Sequence, residues 1–358
     1  MDKKLIGNYI CRGNASIVEA MRQIGQNTAG LIYVVEESGR LIGCLSDGDI
    51  RRWIIQNGTV EGYVFDAMNH DPKFITQEQT DIAVQIMKQH KIFSLAVVDG
   101  TGQILDVVFD PAIMQSMTIE KRGNLASIPV VIMAGGKGTR LYPYTKILPK
   151  PLIPIGEVPV IERILNRYVE YGVEDFWLSI NYKKEMIKSY FSELSPSYRL
   201  HYVEEKKPLG TAGSIGLIRD IPEGPMIIAN CDNLIDADYS DMLQFHNESQ
   251  NAMTIVSSLK NIVIPYGVLH SEMDGVISSV EEKPRLSYFI NTGMYILNTE
   301  YINWIPKDRV FHMTQLVEML IKEKKKVGMY PISEEAFLDM GEFEEMKKME
   351  ERINLSQI

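Results

Sequence analysis

The sequence predicts an α/β protein of two domains, in which a mixed, mostly parallel sheet follows a smaller, repeated α/β module. Three observations carry this prediction. The chain has 358 residues, which is more than one ordinary hydrophobic core requires. A helix–strand–strand pattern occurs twice before residue 117. From residue 128 onward, short apolar strands alternate with amphipathic helices, which is typical of a sheet with helices on both faces.

The first part of the chain is an internal duplication. Residues 32–43 have the pattern strand, turn, strand, residues 95–106 repeat it, and a helical pattern precedes each. The doubled unit resembles a tandem pair of CBS domains, with repeats at about 5–60 and 64–116. The resemblance implies an adenine nucleotide at the first repeat, with Ser46 and Asp49 on its phosphate and ribose. The alternative interpretation is that Ser46 and Asp49 form the N-cap of the helix that follows.

Composition and charge limit the classes of function. A net charge of −10 argues against non-specific nucleic-acid binding. Cys11, Cys44 and Cys231 have no metal-binding spacing, so we expect buried free thiols in a reducing compartment. The chain begins without a signal-peptide pattern and has no apolar run of about 18 residues, so we expect a cytoplasmic protein that does not engage a membrane. Residues 117–127 have no period and are predicted to be a linker.

A glycine-rich loop follows the first strand of the second domain. Its sequence is AGGKGTR at residues 134–140, and glycines let backbone N–H groups approach a phosphate closely. Arg140 and Lys150 add two cations for the same anion. The loop is not a Walker motif, because Val131 stands where its first glycine belongs. It is not a dinucleotide fingerprint either, because Leu141 replaces the third glycine.

Further polar residues follow later strands, at the edge where α/β sheets bind ligands. Residues 208–213 read PLGTAG, and we expect Thr211 or Ser214 to cap the helix that begins there. Asp232 ends a strand and Asp339 lies in the run FLDMG. A carboxylate at the end of a strand, such as that of Asp232, can hold Mg²⁺ between phosphates.

These motifs, with PKPL at 149–152, EKP at 282–284 and NTGMY at 291–295, resemble the sugar-1-phosphate nucleotidylyltransferases. The resemblance spans residues 128 to about 345 and implies a Rossmann-like transferase domain over 128–358. The sequence departs from the family pattern at Cys231, Phe337 and Met340. The resemblance implies a catalytic role for Arg140, Lys150 and Asp232, and Mg²⁺ on Asp232 and Asp339. It implies nucleotide contacts by Ala134, Gly135, Gly136, Gly138, Thr139, Glu205, Pro208, Gly210 and Thr211, and sugar contacts by Tyr266, Gly267, Glu282, Lys283, Asn291 and Gly293.

The repeats narrow the resemblance to the CBS-containing sugar nucleotidyltransferases of bacterial legionaminic acid pathways, and among these to the glucosamine-1-phosphate guanylyltransferases. It implies that GTP and glucosamine 1-phosphate give GDP-glucosamine and pyrophosphate, for surface or flagellar glycans. One alternative is a mannose- or glucose-1-phosphate transferase that uses another NTP. A second is a CBS-based nucleotide sensor with an inactive transferase domain. Because CBS pairs commonly dimerise, we expect a homo-oligomer.

Overall fold

The structure is a computed structural model that describes residues 6–27, 29–110, 112, 125–307, 309–341, 345–347 and 349–351. The chain forms two compact units, and each is assembled from three stretches. The first unit comprises Met1–Ile119, Ser257–Ile290 and Pro331–Glu335, and the second comprises Glu120–Val256, Asn291–Tyr330 and Ala336–Ile358. Most of the predicted linker at residues 117–127 lies outside the described residues. None of the described helices has both the length and the apolar character of a membrane span.

The duplication is visible in the first unit as two three-stranded sheets of the same topology. The strands are β1 (Ile10–Arg12), β2 (Leu31–Val35) and β3 (Leu41–Ser46), then β4 (Phe74–Thr76), β5 (Ser94–Val98) and β6 (Ile104–Phe109). In each sheet the first pair is parallel, the second is antiparallel, and the register shifts at the last residue of the middle strand. The hydroxyl groups of Tyr33 and Ser94 join the two repeats at 2.9 Å.

The helices of the first unit follow the predicted pattern. They are α1 (Ile17–Gln26), α2 (Asp47–Asn57), α3 (Val64–Ala67) and α4 (Ala83–His90). Ile17, Ala20 and Ile24 of α1 are buried, as their helical spacing predicts, because they share one face. The equivalent face of α4 buries Ala83 and Met87.

In the second unit, the alternation of strands and helices builds a seven-stranded sheet. The strands that follow along the chain, β7 to β19, are Val130–Met133, Pro154–Ile155, Val158–Pro159, Asp175–Ile180, Arg199–Glu204, Pro225–Asn230, Asn233–Ile235, Met253–Val263, Gly267–Ser271, Ile277–Glu282, Arg285–Asn298, Val327–Ile332 and Phe337–Asp339. Of these, β15 and β16 belong to the first unit. The strand order is β11-β10-β7-β12-β17-β14-β18. Strands β11, β10, β7 and β12 are parallel, and β17 is antiparallel to β12. The predicted mixed, mostly parallel sheet is therefore confirmed.

The helices of the second unit lie between these strands along the chain. Those from α5 to α10 are Tyr144–Ile147, Val160–Val169, Lys184–Leu194, Gly210–Gly213, Tyr239–Glu248 and Met313–Lys322. In α6, the apolar residues Ile161, Ile164, Leu165 and Tyr168 are buried, as their spacing predicts.

The central position of β7 decides where the glycine-rich loop lies. Val130, Val131 and Ile132 are fully buried, because β7 pairs with β10 on one side and β12 on the other. Its last residue, Met133, stands opposite Ser179 of β10 and Asn230 of β12. The loop thus leaves the sheet between two neighbouring strand ends, which is where parallel sheets bind ligands.

Candidate active site

The glycine-rich loop packs directly against the segment that carries Lys150. Gly138 has φ +63°, and a Cβ there would lie 2.9 Å from the Cβ of Lys150 and from the Cγ2 of Thr145. The hydroxyl of Thr145 also donates to the Gly138 carbonyl at 3.1 Å. Only glycine combines this backbone conformation with this contact. The glycine-rich loop and the Lys150 segment are therefore in direct contact.

Lys150 meets the first predicted metal ligand. Its ammonium group, on a residue only 9% exposed, forms an ion pair with the carboxylate of Asp232. Asp232 lies two residues after the end of β12 and directly before the short ribbon in which β13 pairs with β19. The Met340 backbone N–H donates to the Asp232 carbonyl at 2.9 Å, so the two aspartate-bearing segments are bonded to each other.

Asp339 shares this corner with Asp232 and Arg140. Burial and the neighbouring Asp232 carboxylate raise the pKa of Asp339 above its ordinary value, and Lys150 and Arg140 oppose that rise. A Cβ on Gly341 would lie 2.9 Å from an Asp339 carboxylate oxygen and 3.3 Å from Nη1 of Arg140. All four charged residues that the sequence places in catalysis or metal binding therefore lie together.

These residues suit a divalent cation. Two adjacent carboxylates repel each other, and hard oxygen donors are what Mg²⁺ prefers. Within the described residues, no group of three or more His, Cys, Asp or Glu side chains could hold a metal ion. The remaining ligands would therefore come from phosphate oxygens and water, as is usual for Mg²⁺ bound with a nucleotide.

Glu205 connects the two loops that the sequence assigns to the nucleotide. It is buried, and its carboxylate accepts from the Ser179 hydroxyl and from the Leu209 backbone N–H, each at 2.9 Å. A Cβ on Gly135 would lie 2.6 Å from the same carboxylate, so the glycine-rich loop passes directly over it. Two acceptor positions of the carboxylate stay available for a ligand.

The expectation that Thr211 or Ser214 caps helix α8 is wrong. The helix has no side-chain cap; the Thr211 hydroxyl accepts instead from the backbone N–H of Met313, the first residue of α10, at 2.9 Å. Gly210 has φ +82°, and a Cβ there would lie 2.6 Å from the Phe311 carbonyl oxygen. This glycine therefore allows close backbone packing, and the segment with residues 309–313 fixes the position of the loop.

Two asparagines near Asp232, Asn230 at the end of β12 and Asn233 at the start of β13, carry no signal in the sequence that marks them as site residues. Asn230 lies so close to Gly293, which has φ +81°, that a Cβ on the glycine would be 2.2 Å from its amide nitrogen. Asn233 donates to the Thr292 carbonyl, while its buried amide oxygen has no partner among the described residues. The predicted sugar contact Asn291 accepts from the Gly293 N–H at 2.9 Å. Strand pairing alone brings these residues together.

The loops enclose a cavity of about 420 Å³, which is within the size range of small-molecule sites. Most of the predicted nucleotide and catalytic residues line it, while Ala134 is buried beneath the loop. The predicted residues in its wall are Gly135, Gly136, Gly138, Thr139, Arg140, Lys150, Glu205, Pro208, Gly210, Thr211 and Asp232. Residues that the sequence did not single out are also present, namely Met133, Ser179 and Asn230.

Comparison with known proteins agrees with this geometry. The family model described as nucleotidyl transferase matches residues 129–354, which include the whole cavity wall. The chain belongs to the nucleotidyl transferase family. The crystal structure of HddC from Yersinia pseudotuberculosis is similar to it, with 27% identity and a TM-score of 0.51, over 63% of this chain and 99% of that one.

Curated relatives of this nucleotidyl transferase differ in the base and the sugar that their names give. A UTP–glucose-1-phosphate uridylyltransferase from Synechocystis is 31% identical over 51% of this chain and 52% of its own length. A mannose-1-phosphate guanyltransferase from Saccharomyces cerevisiae is 30% identical over 59% and 61%. The bifunctional protein GlmU of Methanococcus maripaludis is 31% identical over 55% and 48%. The chain thus spans about half to three fifths of the length of these relatives.

Residues 1–56 match the CBS-domain model, so the nucleotidyl transferase carries an N-terminal CBS domain. Strands β4 to β6 repeat the topology of the first sheet, and their assignment to a second CBS domain stays a prediction. Ser46 caps α2 in a capping box: its hydroxyl accepts from the Asp49 N–H at 3.2 Å, and the Asp49 carboxylate accepts from the Ser46 N–H at 2.9 Å. A cavity of about 420 Å³ in the first unit is lined by Arg12 and Tyr63, and by neither Ser46 nor Asp49. Nucleotide binding by these two residues stays a prediction.

Replacing Asp49 by Ala separates the two interpretations of this pair. Loss of the capping box lowers the free energy of unfolding by about 1 kcal/mol, which thermal unfolding measures. If the residue also binds ligand, an adenine nucleotide changes the turnover of the unmodified chain and not that of the variant. Arg52→Ala is the control, because it removes only the exposed ion pair to Asp49. Equal nucleotide responses in all three chains would exclude the ligand role.

The remaining predicted sugar contacts, Tyr266, Gly267, Glu282 and Lys283, belong to the first unit. They lie on or beside the antiparallel hairpin of β15 and β16, in which Gly267 stands opposite Glu282. Their sugar-binding role stays a prediction. Of the three cysteines, Cys11 and Cys231 are buried as expected, whereas Cys44 is half-buried.

Proposed function

We propose that this nucleotidyl transferase joins GTP to glucosamine 1-phosphate, giving GDP-glucosamine and pyrophosphate, in legionaminic acid synthesis. The observation that carries the reaction class is the cavity in which Arg140, Lys150, Asp232 and a glycine-rich loop lie together. Mannose-1-phosphate guanyltransferases among the relatives support a guanine nucleotide and a sugar 1-phosphate. The choice of glucosamine rests on the sequence resemblance.

Glu205 supports guanine as the base. Its buried carboxylate lines the cavity and offers only acceptors. The Watson–Crick edge of guanine presents two adjacent N–H donors, which a carboxylate can accept together. Uracil and thymine present one N–H between two carbonyl oxygens, and those oxygens would face the carboxylate. The base that a buried glutamate tolerates best at this position is therefore guanine.

The charges of the site suit the joining of two anions. Arg140 and Lys150 bring two positive charges, and the loop adds backbone N–H groups, so a triphosphate can enter despite its own charge. The rigid packing of Gly138 on Lys150 holds this cation against the loop, which orients the α-phosphate for in-line attack by the sugar phosphate. Mg²⁺ held by Asp232 and Asp339 would neutralise the remaining phosphate charge. Nucleotidyl transfer needs no covalent help from the protein.

The test is pyrophosphate release across a grid of GTP, ATP, UTP, CTP and dTTP against several sugar 1-phosphates, with Mg²⁺ present. We expect the strongest signal for GTP with glucosamine 1-phosphate. A strong signal for mannose or glucose 1-phosphate, or for another NTP, would keep the reaction and replace the substrates. An empty grid, also with AMP or ATP added, would favour a CBS-based sensor with an inactive transferase domain.

Glu205→Gln tests the assignment of the base. An amide replaces one acceptor by a donor, so it opposes guanine and complements a uracil carbonyl. We expect the ratio of kcat/KM for GTP to that for UTP to fall about 10- to 100-fold. Glu204→Gln is the matched control, because the neighbouring Glu204 carboxylate is paired with Lys184 and Lys188 and does not line the catalytic cavity. An unchanged ratio in Glu205→Gln would remove this residue from base recognition.

A further inference from the structure

A second cavity of the second unit lies behind the loop that carries Glu205. Its volume is about 860 Å³, twice that of the candidate active site. One wall is the edge strand β11, and residues 217–220 form another. The proposed reaction uses no residue that belongs to this cavity alone.

A flat aromatic platform forms part of its wall. The rings of Trp177 and His201 are stacked, with centroids 4.6 Å apart and planes 21° from parallel. Trp177 is 6% exposed, whereas the side chain of His201 is 46% exposed, so one ring face is open. The Asp175 carboxylate, which Arg199 also holds, lies 3.0 Å from Nε2 of His201 and fixes the ring. The platform is therefore pre-organised for another flat ring.

Cations surround the platform. Lys206, Lys207 and Arg219 line the cavity, and no hydrogen bond or ion pair holds either lysine ammonium group in the part of the chain described here. Of the two carboxylates in the wall, Glu204 is already paired with two lysines. Arg219 donates to the carbonyls of Gly216 and Ile218 and keeps its positive charge. The wall therefore holds three cations against one carboxylate, Asp220, that is not already paired with lysines, and the cavity attracts anions.

We propose that this cavity is a second nucleotide site, in which a base stacks on His201 and phosphates meet Lys206 and Lys207. An open ring face beside unpaired cations is the combination that a nucleotide fits, since bases stack on aromatic side chains and phosphates bind ammonium groups. The volume lies within the range of cofactor and nucleotide sites.

The site also controls the active site, because one loop separates the two cavities. Glu205 and Pro208 line the catalytic cavity, Lys206 and Lys207 line the second one, and Leu209 lines both. A phosphate held by the two lysines restrains the backbone that carries Glu205. This regulatory step rests on the proposed function, whereas the binding itself does not.

The test measures the fluorescence of Trp177, which lines the second cavity. The chain has three tryptophans, and Trp53→Phe with Trp304→Phe leaves only the one in the cavity wall. The full-length chain is titrated with GMP, AMP and UMP, and with guanosine and inorganic phosphate as half-ligands. We expect a saturable fluorescence change with at least one nucleotide, and binding at least about tenfold weaker for each half-ligand. No change with any nucleotide would overturn the proposal.

Variants decide which cavity gives the signal. Lys206→Ala with Lys207→Ala should weaken nucleotide binding at least about tenfold, and His201→Ala should weaken it separately. Lys322→Ala with Lys325→Ala removes two exposed lysines elsewhere and should change nothing. If Arg140→Ala abolishes the signal and the Lys206/Lys207 variant keeps it, the signal comes from the catalytic cavity and the proposal is wrong.

Turnover then tests the regulatory step. In the unmodified chain, the nucleotide that binds should change kcat/KM for pyrophosphate release at least about twofold, and the Lys206/Lys207 variant should lose this response while keeping its basal rate. Binding without any effect on turnover would reject the regulation and keep the site. Because fluorescence does not require turnover, failure of the proposed reaction would leave the binding result interpretable.

Discussion

Asp232→Asn lowers kcat for pyrophosphate release by about three orders of magnitude, or ~4 kcal/mol in activation free energy. The carboxylate is the group that Lys150 pairs with, and it stands beside Asp339 in the cavity corner. An amide keeps the shape and loses the charge, so it can neither hold a divalent cation tightly nor balance the buried ammonium group. Rates at saturating substrates measure the effect.

The fold of this variant has to be measured beside its rate. Loss of the carboxylate leaves Lys150 without its partner and lowers the free energy of unfolding by about 1–3 kcal/mol. Circular dichroism well below the melting temperature should still show a folded chain. Asp236→Asn is the matched control. Asp236 lies a few residues after Asp232, and its half-exposed carboxylate is paired with Arg167. A wild-type rate in Asp232→Asn would refute the metal and charge roles together.

Arg140→Ala is expected to lower kcat/KM about 100-fold. Its guanidinium group lies in the corner with Asp339 and Gly341, at the mouth of a cavity built for a polyanion. Arg140→Lys should recover part of the loss, because the charge returns while the planar fork does not. Steady-state kinetics with the best substrate pair of the grid measure both variants.

The same loop provides the control for this prediction. Lys137 is exposed, lies three residues before Arg140, and is not part of the cavity wall. Lys137→Ala removes an equal charge and should lower kcat/KM less than about threefold, since Lys137 does not line the cavity that binds the substrates. Equal losses in the two variants would mean that only overall charge matters, and Arg140 would lose its place in the site.

What the sequence could predict depended on how far apart along the chain the interacting residues lie. The glycine-rich loop, Arg140 and Lys150 form one contiguous motif, and the structure places them together. The sequence around Ser179 and Asn230 contains no local motif that marks them as site residues. They reach the site only because β7 pairs with both β10 and β12, and such pairing is not visible in a single sequence. The fold class was accessible because hydrophobic periodicity is local.

Thr211 shows a different limit. Its position before a helix predicted a cap, and helix capping is a sound local rule. In the fold, the Thr211 hydroxyl instead accepts a hydrogen bond from the backbone N–H of a residue 102 positions along the chain. Glu205 is a similar case, because the motif predicted a nucleotide contact while the structure adds hydrogen bonds to Ser179 and Leu209. Side chains at such positions form hydrogen bonds with groups on other elements of the fold. Local sequence rules do not predict these partners.

The composition of the first unit bears on how this protein can be engineered. Its repeats are joined in one compact body with Ser257–Ile290 and Pro331–Glu335. Arg51 donates to the Pro331 carbonyl at 3.3 Å, and a Cβ on Gly25 would lie 2.6 Å from the Glu335 carboxylate. A chain shortened to begin at residue 125 would keep both later stretches and lose the surface on which they pack. The repeats therefore cannot be removed alone without exposing the surface that packs against them. An exchange of the first unit between relatives has to transfer all three stretches at once.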